Sequence, residues 1–173
     1  MTTFQRILVP TDFSNCSQLA CDMAMKLALT YGSSIELVHV YEPPAWQGFV
    51  IPELVVSMPN EASTSLNEFV QTRTRRSLDH LVEKLQRAGV AQVRHRTESG
   101  EPGAVLVRLV EEEKFDLIVM GTHGRKGFER LVMGSVAERV VRQAKCPVLT
   151  VRAREEAELE QGNIVQSANP GAA

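Results

Sequence analysis

The sequence predicts an α/β fold in which an open, five-stranded parallel sheet carries helices on both faces. Short apolar runs alternate with helical patterns in the order β-α-β-α-β-α-β-α-β, which is typical of parallel strands joined by crossover helices. The clearest of these runs are continuously apolar, as expected of strands covered on both faces. Hydrophobic residues make up 43% of the 173 positions and charged residues 23%, enough apolar material for the core of one domain.

The first half of the predicted fold contains two strands, at residues 7–10 and 35–40, and two helices. Ser14 is a suitable N-cap for the first helix, and Gly32 a suitable C-terminal stop. A second, long helix is predicted from about Ala62 to Ala88. The apolar stripe of the first helix is predicted to contain Cys16, Leu19, Ala20, Met23, Ala24, Leu27, Ala28 and Tyr31.

The second half begins with a more polar strand at residues 90–97, as expected of an edge strand. Pro102 suits the first turn of a third helix, which is predicted to end near Glu113. A buried strand at residues 115–120 follows. The last two elements are a helix at 135–143 and a strand at 148–151.

Two segments do not fit this alternation. Four prolines break regular structure in residues 42–60, yet the segment is apolar, so it is either a lid or contact surface, or a loop that folds back on its own domain. Residues 153–173 are polar and acidic and are predicted to form a flexible tail. The sequence thus predicts one α/β domain at residues 1–152 followed by this tail.

Charge and cysteine usage exclude several classes of protein. The net charge of −2 recruits neither nucleic acid nor an anionic membrane. Cys16, Cys21 and Cys146 are too few and too scattered for a disulfide framework, and we expect reduced thiols in or near the core. We find no signal peptide and no apolar run near the roughly 20 residues that span a bilayer, so we expect a cytoplasmic protein.

The most informative stretch is the glycine-rich segment at residues 121–135, which joins a buried strand to a helix. Ligands of open α/β sheets lie at the carboxyl ends of strands, where glycines expose backbone N–H groups and a helix N-terminus favours anions. With the cations Arg125, Lys126 and Arg130 nearby, these features favour a polyphosphate. Each also has a purely structural interpretation: Ser135 and Glu138 fit a capping box, and the glycines fit a tight turn.

Asp12 is the second candidate, because it follows the first strand directly. If the first and fourth strands are neighbours, Asp12 faces the same crevice as Gly121. Its carboxylate could then hold a ribose hydroxyl, an adenine amino group or Mg²⁺, the only metal role the sequence suggests. Alternatively, Asp12 or Ser14 caps the first helix. The sequence contains no P-loop, no G-x-G-x-x-G after the first strand, no H-E-x-x-H and no G-x-S-x-G.

These motifs resemble those of the universal stress protein family over residues 4–152. The most specific is G-x2-G-x9-G-[ST], met by Gly121, Gly124, Gly134 and Ser135. The opening run at residues 7–12 and the closing run at 146–151 also match the family.

The resemblance implies a sheet order of 3-2-1-4-5, in an adenine nucleotide alpha hydrolase-like arrangement, and binding of ATP. It also implies a homodimer formed by antiparallel pairing of Val148–Val151, an otherwise open edge. The site residues implied fall into three groups. Pro10, Thr11, Asp12 and Val40 would line the adenine pocket; Met120, Gly121, Gly124 and Arg125 would flank the ribose and phosphates; Gly134, Ser135 and Val136 would hold phosphate at the helix start.

Three functions follow as hypotheses. The first is an ATP-binding module that senses or regulates in a stress response, with no catalytic residue. The second is an enzyme, at most a slow ATPase or a nucleotidyl-transfer protein, for which Asp12 and His123 are the only candidate groups. The third is a structural dimer or adaptor that does not use nucleotide. The complete glycine pattern favours the first.

Overall fold

The computed structural model describes residues 4–42, 55–56, 64–122 and 133–152, with the backbone alone for 55–56 and 64–70. The predicted tail at 153–173 and most of the 42–60 segment lie outside these ranges. The elements in chain order are β1 (Arg6–Pro10), α1 (Asn15–Tyr31), β2 (Ser34–Tyr41), β3 (Val55–Val56), β4 (Thr64–Ser65), α2 (Leu66–Arg87), β5 (Val93–Ser99), α3 (Pro102–Glu113), β6 (Leu117–Gly121), α4 (Ser135–Gln143) and β7 (Val148–Val151).

Five of the strands form one sheet in the order β5-β2-β1-β6-β7, and every neighbouring pair is parallel. Counted along the chain within this sheet, the order is 3-2-1-4-5, as the resemblance implied. The fold class and the strand order are therefore confirmed. β1 lies in the middle, where Ile7 pairs with Ile35 of β2 on one side and with Leu117 of β6 on the other.

The hydrophobic core has two layers, one on each face of the sheet. Side chains of β1 alternate between them: Ile7 and Val9 pack with α1 and α2, whereas Leu8 packs with α3 and α4. All three are fully buried. The continuous apolar runs of the sequence are thus explained by strands that are covered on both sides.

The described residues include two short strands, β3 and β4, that the sequence did not predict. Val55–Val56 and Thr64–Ser65 pair as a short antiparallel ladder, separate from the main sheet. Consequently, α2 begins at Leu66 rather than near Ala62. The prolines of the 42–60 segment excluded a long strand, but two residues are enough for a ladder, and a pattern that short carries no periodicity.

The ends of α1 are confirmed, but its buried face was predicted partly wrongly. Ser14 is the N-cap, and Gly32 ends the helix in the left-handed conformation at φ 71°. Met23 and Tyr31, assigned to the buried stripe, are 37% and 46% exposed. The fully buried side chains are small, so α1 lies close against the sheet. They are Ser17, Ala20, Cys21, Ala24 and Ala28.

All three cysteines are free thiols, as predicted. Cys21 is buried against the sheet, and Cys16 and Cys146 are half-buried. Burial raises the pKa of the Cys21 thiol to about 11, so this thiol stays protonated at neutral pH. It behaves as a small apolar side chain of the core.

Candidate functional site

The carboxyl ends of β1, β2 and β6 lie side by side, because the three strands are parallel neighbours. We call this end of the sheet its carboxyl edge. From β1 the chain winds outward to β2, and it later returns to the other side of β1 as β6. This reversal is the topological switch point at which open α/β sheets bind their ligands. Pro10 and Gly121, the last residues of β1 and β6, both end at this edge, as the sequence reasoning required.

The turn from β1 to α1 is held by a network of short side chains. The Asp12 Oδ1 atom accepts hydrogen bonds from the Ser14 backbone N–H at 3.1 Å and from its hydroxyl at 2.6 Å. The Ser14 hydroxyl in turn caps α1 by accepting from Ser17 N at 3.3 Å. Thr11, only 5% exposed, donates from its hydroxyl to Ser17 Oγ at 3.2 Å. Of the two alternatives for the cap, Ser14 caps the helix and Asp12 holds Ser14, while the ligand role of Asp12 stays a prediction.

We expect Ser14→Ala to lower the free energy of unfolding by about 1 kcal/mol, the usual cost of losing an N-cap. The variant loses the bond to Ser17 and the bond to Asp12 together. Chemical denaturation checks the value. Ser34→Ala, at the opposite end of the sheet, where the hydroxyl donates to Gln5 O, is the matched control. Equal losses in both variants would contradict a specific role for the cap.

The end of β6 and the start of α4 are held together by a backbone hydrogen bond between Gly134 and Thr122, which we call the neck. Gly134 N donates to Thr122 O at 2.9 Å, so the chain leaves after Thr122 and returns at nearly the same place. Thr122 is 1% exposed, and its N–H donates to Val151 O of β7. This neck holds the start of α4 at the carboxyl end of β6, the strand that neighbours β1.

The predicted capping box at the start of α4 is wrong. Gly134, not Ser135, is the N-cap. Because glycine has no side chain, the cap residue makes no side-chain hydrogen bond to the first turn. Ser135 is the first residue of the helix and is exposed, while Glu138 N bonds to Gly134 O as an ordinary helical donor. A glycine N-cap leaves the first N–H groups without a capping side chain, so an external anion can approach them.

The structure brings part of the predicted site together. Met120 is buried in the core layer under α3 and α4, and Val40 and Val136 pack against the same layer. Pro10 and Gly134 are half-buried at the edge above them. Gly124 and Arg125, like His123, Lys126 and Arg130, lie outside the described residues, so their part in the site stays a prediction.

Sequence reasoning missed two aromatic side chains at this edge. The His39 Nδ1 atom lies 2.8 Å from Thr11 O, and the His39 ring centroid lies 5.0 Å from that of Phe13. Phe13 has a positive φ of 64°, which is rare for a residue with a side chain. In the sequence, His39 belongs to the predicted strand at residues 35–40 and Phe13 directly precedes the predicted N-cap Ser14, so neither residue stands out as part of a site. Only the pairing of β1 with β2 reveals that they meet.

Two classes of site receive no support from the part of the chain that the structure describes. Within it, no three His, Cys, Asp or Glu side chains come close enough together to hold a metal ion. The single metal candidate, Asp12, therefore stays a prediction that depends on bound phosphates. Among the helices with described residues, none has the length and hydropathy to cross a membrane.

Comparison with known proteins decides the family. A model of the universal stress protein family matches residues 3–152 of this chain. The chain belongs to the universal stress protein family. It is 32% identical to a universal stress protein of Methanocaldococcus jannaschii over 150 residues, which cover 86% of this chain and 82% of that relative.

Solved universal stress proteins share the fold. One, solved in complex with cAMP, superposes with a TM-score of 0.64 at 24% identity and covers 87% of this chain and 98% of its own. Another, from Archaeoglobus fulgidus in complex with dAMP, gives a TM-score of 0.58 at 20% identity and covers 87% of this chain and 99% of its own. At these identities the likeness establishes the fold of this universal stress protein and leaves its ligand to be argued from its own residues.

Proposed function

We propose that this universal stress protein binds an adenine nucleotide, ATP in particular, at the carboxyl edge of β1 and β6 and acts as a regulatory or sensing module. One observation carries the proposal. The Thr11–Asp12 turn and the glycine-capped start of α4 lie at the same edge of the sheet, on either side of its switch point. Relatives of the same fold that were solved with cAMP and dAMP support an adenine nucleotide as the ligand.

The described residues fit the three parts of such a ligand. The first N–H groups of α4, with Gly134 as N-cap, suit a phosphate, since they carry the positive end of the helix dipole. Val40 and Val136, both half-buried, supply apolar surface on which a base can pack. Asp12 supplies a carboxylate for a ribose hydroxyl, an adenine amino group or a Mg²⁺ ion shared with the phosphates.

Binding alone would make the protein a switch. A nucleotide that contacts both the Asp12 turn and α4 favours the conformation in which the two lie in register, and any surface that depends on this conformation changes with it. The proposal includes no catalytic step. Homodimerisation through Val148–Val151 and a cytoplasmic location stay predictions from the sequence.

Asp12→Asn tests the site. The amide keeps an oxygen that can accept from Ser14, so the turn is retained, but the negative charge is lost. We expect isothermal titration to give an affinity for ATP about tenfold or more below that of the wild type, since a hydrogen bond to a charged group is worth about 1.5–3 kcal/mol. Asp22→Asn, on the outer side of α1 where Asp22 pairs with Lys84, is the matched control.

Three results would count against the proposal. Wild-type protein that binds no adenine nucleotide at millimolar concentration would remove it. Equal affinity in Asp12→Asn and wild type would move the ligand away from this turn. Steady turnover of ATP that disappears in Asp12→Asn would replace the regulatory module with the enzyme.

A further inference from the structure

His39 lies at the carboxyl end of β2, one residue beyond the point where the ladder with β1 ends. The last ladder pair is Pro10 with Val38. The His39 Nδ1 atom then lies 2.8 Å from the backbone carbonyl oxygen of Thr11. A carbonyl oxygen only accepts, so Nδ1 carries the proton and donates. The His39 side chain therefore continues the link between the two strands into the turn that carries Asp12.

Thr11 is held at each of its polar atoms. Its N–H donates to Val38 O at 2.9 Å, and its carbonyl accepts from His39. Its hydroxyl donates to Ser17 Oγ and accepts from Phe13 N at 3.1 Å. Thr11 is 5% exposed; its bond to Ser17 is buried, and its bonds to Phe13 and His39 are part-buried, so losing one leaves a poorly solvated polar atom without its partner.

Phe13 is held by the same histidine. Its φ of 64° lies in the left-handed region, which costs a residue with a side chain about 1–2 kcal/mol. Such a conformation persists where the surroundings enforce it, and it is concentrated at functional sites. Here the His39 ring lies 5.0 Å from the Phe13 ring at an interplanar angle of 34°. His39 thus contacts the residue before Asp12 through a hydrogen bond and the residue after it through its ring.

We infer that His39 is a positioning residue for the nucleotide site, acting on Asp12 mainly through its hydrogen bond to the Thr11 carbonyl, with the Phe13 ring contact as a secondary support. The inference rests on the proposed function, because it assigns His39 a role in that site. His39 itself contacts no ligand in this scheme. It sets the direction of the Asp12 carboxylate before the nucleotide arrives, which reduces the ordering that binding would otherwise require.

A matched pair of variants separates the hydrogen bond from the bulk of the ring. In His39→Asn the amide nitrogen takes the place of Nδ1 and can donate to Thr11 O, whereas His39→Leu has the same branching and no donor. We expect the ATP affinity of His39→Leu, measured by isothermal titration, to fall about tenfold, and that of His39→Asn to stay within about threefold of the wild type.

The outcomes keep the two claims apart. If wild-type protein binds no nucleotide, the proposed function fails and takes this role with it. If wild-type protein binds but His39→Leu binds equally well, only the positioning role fails. Equal losses in His39→Asn and His39→Leu also overturn it, because the effect would then come from the lost volume of the imidazole ring and not from the hydrogen bond to Thr11. Thermal melts of both variants establish that each is folded at the titration temperature.

The tautomer of His39 gives a readout that needs no ligand. Nitrogen-15 spectra distinguish a protonated from an unprotonated ring nitrogen, and in the neutral ring we expect Nδ1 protonated and Nε2 bare. A neutral ring with the proton on Nε2 would exclude donation to Thr11 and overturn the inference. The expected tautomer, together with rescue by His39→Asn, would support it.

Discussion

Arg96→Leu is expected to lower the free energy of unfolding by about 3 kcal/mol, because it leaves a buried carboxylate without its main partner. Glu36 lies in the middle of β2 and is only 8% exposed. The Arg96 guanidinium on the neighbouring strand β5 bonds to Glu36 and, through Nη2, to Glu113 Oε2 at 2.9 Å. We place the cost at the low end of the range for broken buried pairs, since the Arg96 side chain is 31% exposed.

The remaining cation near Glu36 does not replace Arg96. Arg6 Nη2 lies 3.9 Å from Glu36 Oε2, beyond hydrogen-bonding distance, and its Nη1 is engaged by the backbone carbonyl of Glu113. The Arg6 guanidinium also lies over the Phe115 ring at 4.6 Å. Moving the Arg6 guanidinium toward Glu36 would break these contacts. In Arg96→Leu, Arg6 can therefore compensate the Glu36 charge only at an energetic cost.

Urea denaturation with two comparison variants measures the effect. Arg108→Leu removes an arginine from exposed pairs with Glu98 and Glu112, and we expect a loss of no more than about 1 kcal/mol. The double variant Glu36→Leu with Arg96→Leu removes both members of the buried pair, and we expect it to recover much of the stability lost in Arg96→Leu. A double variant less stable than Arg96→Leu would contradict the assignment of the cost to unpaired Glu36.

The stability lost in Arg96→Leu should also depend on pH, in a direction that the pKa of Glu113 determines. The hydrogen bond from Arg96, with the charges of Arg96 and Arg6, lowers the pKa of the Glu113 carboxyl below its ordinary value of 4.5. A carboxyl whose pKa is lower in the folded state stabilises the fold above pH 4.5, and this contribution is lost as the pH falls through the folded pKa. The difference in stability between wild type and Arg96→Leu should therefore shrink as the pH falls below about 4.5.

The sequence predicted the sheet well because parallel α/β folds depend on a local signal. Buried strands such as β6 are continuous apolar runs, and crossover helices such as α3 begin with a recognisable proline, here Pro102. The strand order followed from the family motifs, since periodicity alone does not say which strands are neighbours. The short β3–β4 ladder escaped because two-residue strands have no period.

Contacts between distant residues account for the errors and omissions at the site. Ser135 fits a capping box by spacing, but the N-cap of α4 is Gly134, one residue earlier, whose N–H is bonded to Thr122 O. His39 and Thr11 are 28 positions apart and meet only through strand pairing. Glu36 in an apolar run gave no indication of its partner, because Arg96 is 60 positions away. Local patterns therefore predicted the elements, and the bonds that orient the site required the fold.

Gly121→Ala is expected to lower the free energy of unfolding by about 1–3 kcal/mol, because α1 crosses the end of β6 without room for a methyl group. A Cβ atom at Gly121 would lie 2.8 Å from the Cys16 Cβ and 3.0 Å from the Cys16 carbonyl carbon. Trimming the Cys16 thiol gives no relief, since these contacts involve its Cβ and backbone. The first turn of α1 must move away from the sheet, and the helix cap at Ser14 must move with it.

Gly103→Ala is the matched control for this clash. A Cβ at Gly103 would lie 2.7 Å from Arg139 Cδ, 3.1 Å from Glu101 Oε1 and 3.3 Å from Arg139 Cβ, so it meets two partly exposed side chains and no backbone atom. Side chains can move aside at lower cost than backbone, and alanine is the better helix former, so we expect Gly103→Ala to stay within about 1 kcal/mol of the wild type. Equal stability of the two variants in chemical denaturation would show that α1 shifts freely over β6.

Gly121→Ala should also weaken nucleotide binding, by more than its loss of folding stability alone would cause. The shift of α1 changes the direction of Asp12, which is bonded to Ser14 at the helix start, while the α4 side of the site stays in place. Because binding requires both sides in register, we expect ATP affinity in folded Gly121→Ala to fall about tenfold or more, and Gly103→Ala to bind like the wild type. A Gly121→Ala protein that is destabilised but binds ATP normally would show that the Asp12 turn is not part of the nucleotide site.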